Sequence, residues 1–171
     1  MDGALFAARK ILEEVTPLKA DCGRVCGAAC CASLEGEETG MLLFPGEEAL
    51  CRQVPGGRIE ETANGTMLLI CRGTCDREDR PLSCRLFPLF PEPEGEQIHV
   101  RMDARAGAVC PLASMGLRAL SPTFVEAVRQ AGKALMGDPE QRVFLERLAA
   151  EQRELRALKT RFGIPGKGVT P

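Results

Sequence analysis

An α+β chain with a small cysteine-rich core is predicted by three features of the sequence. Residues 22–31 carry four cysteines in ten positions. Short apolar or alternating runs, bounded by Pro, Gly or Asn, lie between positions 41 and 102 and read as strands and turns. After Ser121 the pattern changes to two amphipathic stripes that read as a helical C-terminal pair, opened by Ser121-Pro122 and Asp138-Pro139. The 171 residues fit one domain, with a cysteine-rich core at 20–112 and the helices at 121–162.

Composition narrows the function. Hydrophobic residues at 44% and charged residues at 27% are ordinary for a soluble globular protein. A net charge of -2 gives no reason to expect nucleic acid or an acidic membrane as partner. Seven Phe, with no Trp or Tyr, leave few platforms for stacking bases. No run approaches the roughly 18 apolar residues of a membrane span. Asp2 and the lack of a long apolar run do not read as a secretory signal, so a cytoplasmic setting is expected.

The elements follow in order. Asp2 suits the N-cap of a first helix with Leu5, Phe6, Ile11 and Leu12 apolar, and Thr16-Pro17 should end it. Cys22, Cys26 and Cys30 share a helical spacing, but Gly23 and Gly27 weaken a regular helix. A loop with helical turns is expected there, its backbone N–H groups free to reach thiolate sulfur. Residues 35–40 read as a polar turn, 41–44 as a buried strand, and 47–54 as a short helix carrying Leu50 and Cys51. Asn64-Gly65 signals a two-residue hairpin turn between 58–63 and 66–71. Its second arm delivers Cys71 to the strand end and Cys75 to the loop beyond. Pro81 and Pro88 bracket a short helix around Cys84, and 91–95 reads as an exposed loop. Ile98, Val100 and Met102 alternate with His99, Arg101 and Asp103 as in a half-buried strand. In the C-terminal pair, Phe124, Val125, Val128, Ala131 and Leu135 form one stripe, and Phe144, Leu148, Leu155, Leu158 and Phe162 the next. These read as core or helix packing, with Gln141 placed to complete a capping box on Asp138. Residues 163–171 read as a loose tail.

Nine cysteines are the one strong deviation in composition. In a cytoplasmic chain such density points to metal more than to disulfides, and an odd count suits a fully paired framework poorly. Thiolates are preferred by zinc and by iron–sulfur clusters, and four complete a structural zinc site. Beyond the opening four, Cys71, Cys75, Cys84 and Cys110 each fall in or near a turn, where a ligand is easily presented. Four thiolates on one divalent ion leave a charge of about -2, which Arg24, Arg72, Arg80 and Arg85 stand near enough in sequence to offset.

Cys22-x3-Cys26-x3-Cys30-Cys31, with Arg80-Pro81-x2-Cys84-Arg85-x-Phe87-Pro88 and a later Cys110, resembles the YkgJ-type cysteine-cluster family. That family is described as a zinc- or iron-chelating domain and includes the flagellin N-methylases. The resemblance covers roughly positions 20–112. The gaps in the first cluster are three residues, where the motif that names the family has two. It implies metal binding through Cys22, Cys26, Cys30, Cys31, Cys75, Cys84 and Cys110; Cys71 joins from spacing alone.

Other residues take plainer readings. Cys51 beside Leu50 suits a buried small hydrophobe. His99, the only histidine, sits on the polar face of its strand, which leaves no material for His-rich zinc sites. The acidic pairs at 13–14, 37–38, 47–48 and 60–61 read as solvated surface. A CxxxCxxC radical-SAM motif is not matched, because the second gap is three. The sequence thus leads to a metal-binding protein with Zn2+ as the expected metal and a metal-stabilised core. Two further readings remain open: an iron–sulfur enzyme related to flagellin lysine N-methylases, and a metal delivery or storage protein. A protein partner or substrate is compatible with each.

Overall fold

In the computed structural model, which describes residues 3–32, 40–51, 54, 56–71 and 76–163, the chain opens with helix α1 (Gly3–Ile11). Leu5, Ala8 and Leu12 recur at helical spacing and are fully buried. The helix stops short of Thr16-Pro17 because Arg77, far along the chain, collects its trailing carbonyls. Arg77 Nε donates to Glu13 O at 2.6 Å, and Nη2 donates to Leu12 O at 2.9 Å and Val15 O at 2.6 Å. The cysteine stretch then forms α2 (Cys22–Cys26) and a 3-10 turn at Ala29–Cys31, the broken helical path that the two glycines suggested.

Three strands follow, β1 (Gly40–Leu42), β2 (Arg58–Glu61) and β3 (Met67–Ile70), in the antiparallel order β1-β3-β2, with α3 (Glu48–Cys51) between the first two. The hairpin differs from expectation by one residue. Glu61 pairs with Met67, and Thr62 N donates to Thr66 O at 2.8 Å, leaving a three-residue loop of Ala63, Asn64 and Gly65. Only Gly65 takes the left-handed conformation (φ 77°), where a two-residue turn with Asn-Gly would need both residues there. Leu43, Cys51, Val54 and Leu69 bury one another in a small core of their own.

Helix α4 (Leu82–Leu86) sits where Pro81 and Pro88 bracket it, and the Phe87-Pro88 peptide is cis. The segment read as an exposed loop is instead β4 (Leu89–Glu94), antiparallel to β5 (Gln97–Met102). Two prolines are tolerated because of their phase. Asp103 N donates to Pro88 O at 2.9 Å, so the bonded pairs fall at Phe90, Glu92 and Glu94. Pro91 and Pro93 lie between them, where the ladder asks for no N–H.

After α5 (Ala106–Val109) and 3-10 turns at Pro111–Met115 and Leu117–Ala119 come the two long helices, α6 (Pro122–Met136) and α7 (Pro139–Arg161). The fold is α+β with this C-terminal helical pair. Helix α6 packs on α1 and on the β4–β5 hairpin. Gly132 makes the second contact possible: a Cβ there would stand 2.7 Å from Pro91 Cβ and 2.9 Å from Ile98 Cγ2. The larger core gathers α1, α4, β4, α6 and the first half of α7 around Phe44, Phe124 and Leu145. Asp138 caps α7, accepting from Glu140 N and Gln141 N. The Gln141 side chain does not return to the cap; it is buried and donates to Pro45 O at 2.9 Å, tying α7 to the turn after β1. Beyond Gln152 the stripe leaves the core, with Leu158 and Phe162 exposed.

Three acidic residues, Glu47, Glu92 and Asp103, are buried. Glu47 accepts from Leu82 N at 2.6 Å and Phe44 N at 3.3 Å and is paired with Arg9, so one carboxylate joins α1, the β1 exit and α4. Burial pushes its pKa up, against those bonds. Glu92 lies among Arg101, Arg153 and Arg156. Asp103 is bonded by Arg105 Nη2 at 2.6 Å. No helix among the described residues is long and apolar enough to cross a membrane.

Candidate metal centre

Asp21 starts the site. Its side chain accepts from Gly23 N at 3.1 Å and caps the first turn of α2, which places Cys22 and Cys26 on one face. Gly27 (φ 64°) ends α2 in the left-handed conformation, and Ala28 repeats it at φ 54°, the one described non-glycine residue with a positive φ. That double turn reverses the chain, and the 3-10 turn then presents Cys30 and Cys31. Without the left-handed step at Ala28, which costs an L-residue about 1 kcal/mol, the second cysteine pair would continue away from the first.

Three other elements bring thiols to the same place. Cys71 follows β3 directly, Cys84 sits mid-way in α4, and Cys110 ends α5. The result is one cavity of about 80 Å³ whose wall includes Cys22, Cys26, Cys30, Cys31, Cys71, Cys84 and Cys110. Met41, Phe87, Pro88, Pro111 and Leu112 supply its apolar lining. Seven of the eight cysteines nominated from sequence therefore share one cavity, and the eighth, Cys75, lies outside the described residues. Cys51 is elsewhere, buried in the small core beneath the three-stranded sheet. His99 is on β5, 3.3 Å from Glu94 and away from the thiols.

The arginines divide differently from the sequence reading. Arg80 lines the cavity and pairs with Asp21 at 3.5 Å. Arg85, on the other side of Cys84, turns away: it donates to Arg80 O at 2.9 Å, Glu78 O at 2.8 Å and Arg9 O at 3.3 Å. Arg24 is exposed and absent from the wall, and Arg72 lies outside the described residues. The acid pairs also need correction at Glu47, which is buried, while Glu13, Glu14, Glu60 and Glu61 are exposed as expected; 37–38 lies outside the described residues.

Protonation follows from the surroundings. Burial pushes the Cys22 and Cys110 thiols up. Cys30 is pushed up by its bond to Cys31, and the same bond holds Cys31 down at about 6. Cys22, Cys26, Cys30, Cys31 and Cys110 are free thiols, not disulfides.

Among the described residues no group of three or more Cys, His, Asp or Glu side chains is closed into a metal-holding arrangement. The thiols surround the cavity without converging on one centre. Their chemistry nonetheless fits a thiophilic metal: sulfur donors around one cavity, apolar neighbours beside them, and a guanidinium to balance charge. Binding would require protons to leave the raised thiols, so affinity would rise with pH. No family model, no curated protein and no solved structure matches the chain.

Proposed function

We propose that the chain is a metal-binding protein that chelates zinc through its cysteine cavity, in the manner of the cysteine-cluster domains it resembles. The observation that carries this reading is the arrival of seven thiols, from positions as far apart as 22 and 110, at one cavity. A set of inert cysteines would be scattered through the cores, as Cys51 is. The ligands come from Cys22, Cys26, Cys30, Cys31, Cys71, Cys84 and Cys110, with Cys75 as the eighth. Bound metal would join α2, the end of β3, α4 and the end of α5, so its binding energy would also be folding energy. The reducing cytoplasm is the compartment in which such thiols persist.

One observation favours an iron–sulfur cluster as the second reading. The thiols share a single cavity, where two independent four-thiolate zinc sites would divide them in space. Metal analysis with an absorption spectrum, on protein purified without oxygen, separates the two. With neither Trp nor Tyr in the chain, protein absorption in the near ultraviolet is almost nil. A colourless sample with stoichiometric zinc supports the first reading. A brown one with iron and acid-labile sulfide supports the second. A folded chain that takes up neither refutes both.

A further inference from the structure

Arg80 is the charged side chain in the wall of the cysteine cavity among the described residues. Its Nη1 stands 3.5 Å from Asp21 Oδ1, and its Nη2 lies 3.8 Å from the position a Cβ on Gly23 would take. The positive charge therefore rests over the first turn of α2, the turn that carries Cys22 and Cys26. The backbone behind it is fixed, since Arg80 O accepts from Nε of the buried Arg85 at 2.9 Å.

Charge decides what such a residue does. A divalent ion on four thiolates has a net charge of about -2, and a half-buried guanidinium in the wall of the site stabilises that state. Asp21 acts in the opposite direction, because its carboxylate adds negative charge beside the thiols and holds the same guanidinium. Its other task, accepting from Gly23 N to cap α2, needs only a side-chain oxygen, which Asn also offers.

We propose that Arg80 is the charge-compensating residue of this thiolate centre, and that Asp21 weakens the centre by competing for Arg80. The inference rests on the metal-binding reading, and the experiment separates the two. Zinc affinity is measured by competition with a chelator of known strength, at fixed pH and ionic strength, for the full chain and three variants. Arg80→Met is expected to weaken binding about 10- to 100-fold, the range for residues that support metal ligands. Arg80→Lys should recover most of that loss, and Asp21→Asn should bind zinc more tightly than the parent. If Arg80 serves only to pin α2 through its ion pair, Arg80→Met and Asp21→Asn weaken binding alike. That outcome overturns the inference. Far-ultraviolet circular dichroism checks that each variant folds; should Arg80→Met fail to fold, the sign of the Asp21→Asn effect decides, and unchanged or weaker binding overturns the proposal. A folded parent chain that binds no zinc defeats the zinc-binding reading itself, and the inference with it.

Discussion

Truncating a cavity thiol and truncating the core thiol should destabilise the chain in two distinguishable ways. Cys51 is 1% exposed, packed against Leu43, Val54 and Leu69. Replacing it with Ala removes one sulfur from a close-packed site at a cost of about 1–2 kcal/mol. For a chain of this length that lowers Tm by about 2–8 °C, and by the same amount with or without metal. Cys84 is half-buried at the cavity, so Cys84→Ser leaves most packing in place, and Tm in a chelator should change by less than about 1 kcal/mol equivalent. Its effect appears on adding zinc. A ligand held at a hundred times its Kd stabilises by about 2.7 kcal/mol, which corresponds to a rise of about 5–11 °C here. The parent and Cys51→Ala should show that rise in full, and Cys84→Ser should lose most of it. Melting followed by circular dichroism, in chelator and in buffered zinc, gives all six values. A Cys84→Ser chain that keeps the full rise, or a Cys51→Ala chain that loses it, would refute the division of the cysteines.

Gly132→Ala gains helix propensity but drives a Cβ into Pro91 and Ile98, so a net loss of about 1–2 kcal/mol is expected, with unchanged metal content. Glu92→Gln should cost about 2 kcal/mol by thermal melting. That is less than a wholly buried ion pair loses, because Arg101, Arg153 and Arg156 all reach solvent. Asp103 gives the pH dependence. Burial raises its pKa, but the hydrogen bond and charge of Arg105 outweigh that and hold it below the ordinary carboxylate range. A lowered carboxylate stabilises the fold above its unfolded pKa, and that contribution disappears as pH falls through the folded value. Asp103→Asn should therefore cost about 1–3 kcal/mol at neutral pH, and its deficit against the parent should shrink towards about pH 3. A deficit that is constant across that range would contradict the assignment.

What was legible in the sequence is what local chemistry decides. Gly27 ends a helical path within the ten-residue cysteine stretch, although Gly23 stays inside α2; Pro81 and Pro88 bracket a turn, and Asp138-Pro139 opens a helix; each signal sits in or beside the element it governs. Pro91 and Pro93 misled because proline content argues for a loop unless the pairing phase is known. That phase is set by Asp103 bonding Pro88 from the other strand. Glu47 and Glu92 were invisible for a related reason: Glu47 pairs with Arg9, 38 residues away, and Glu92 with Arg101 across the hairpin and with Arg153 and Arg156, more than 60 residues away. Nothing in an acidic pair beside a short helix announces such partners.

The cysteines lie between these cases. Four thiols in ten residues declare their chemistry locally, but which charges accompany them is tertiary. Arg80 and Arg85 flank Cys84 in sequence, four residues before it and one after. The helical turn from Leu82 sends the Arg85 guanidinium back to the carbonyls of Arg9, Glu78 and Arg80, leaving Arg80, before the turn begins, to face the sulfur. The pair thus splits by geometry into one arginine that ties backbone carbonyls together away from the cavity and one that lines it. Substituting them should separate the two effects, with Arg85→Met lowering the stability of the metal-free chain and Arg80→Met lowering metal affinity.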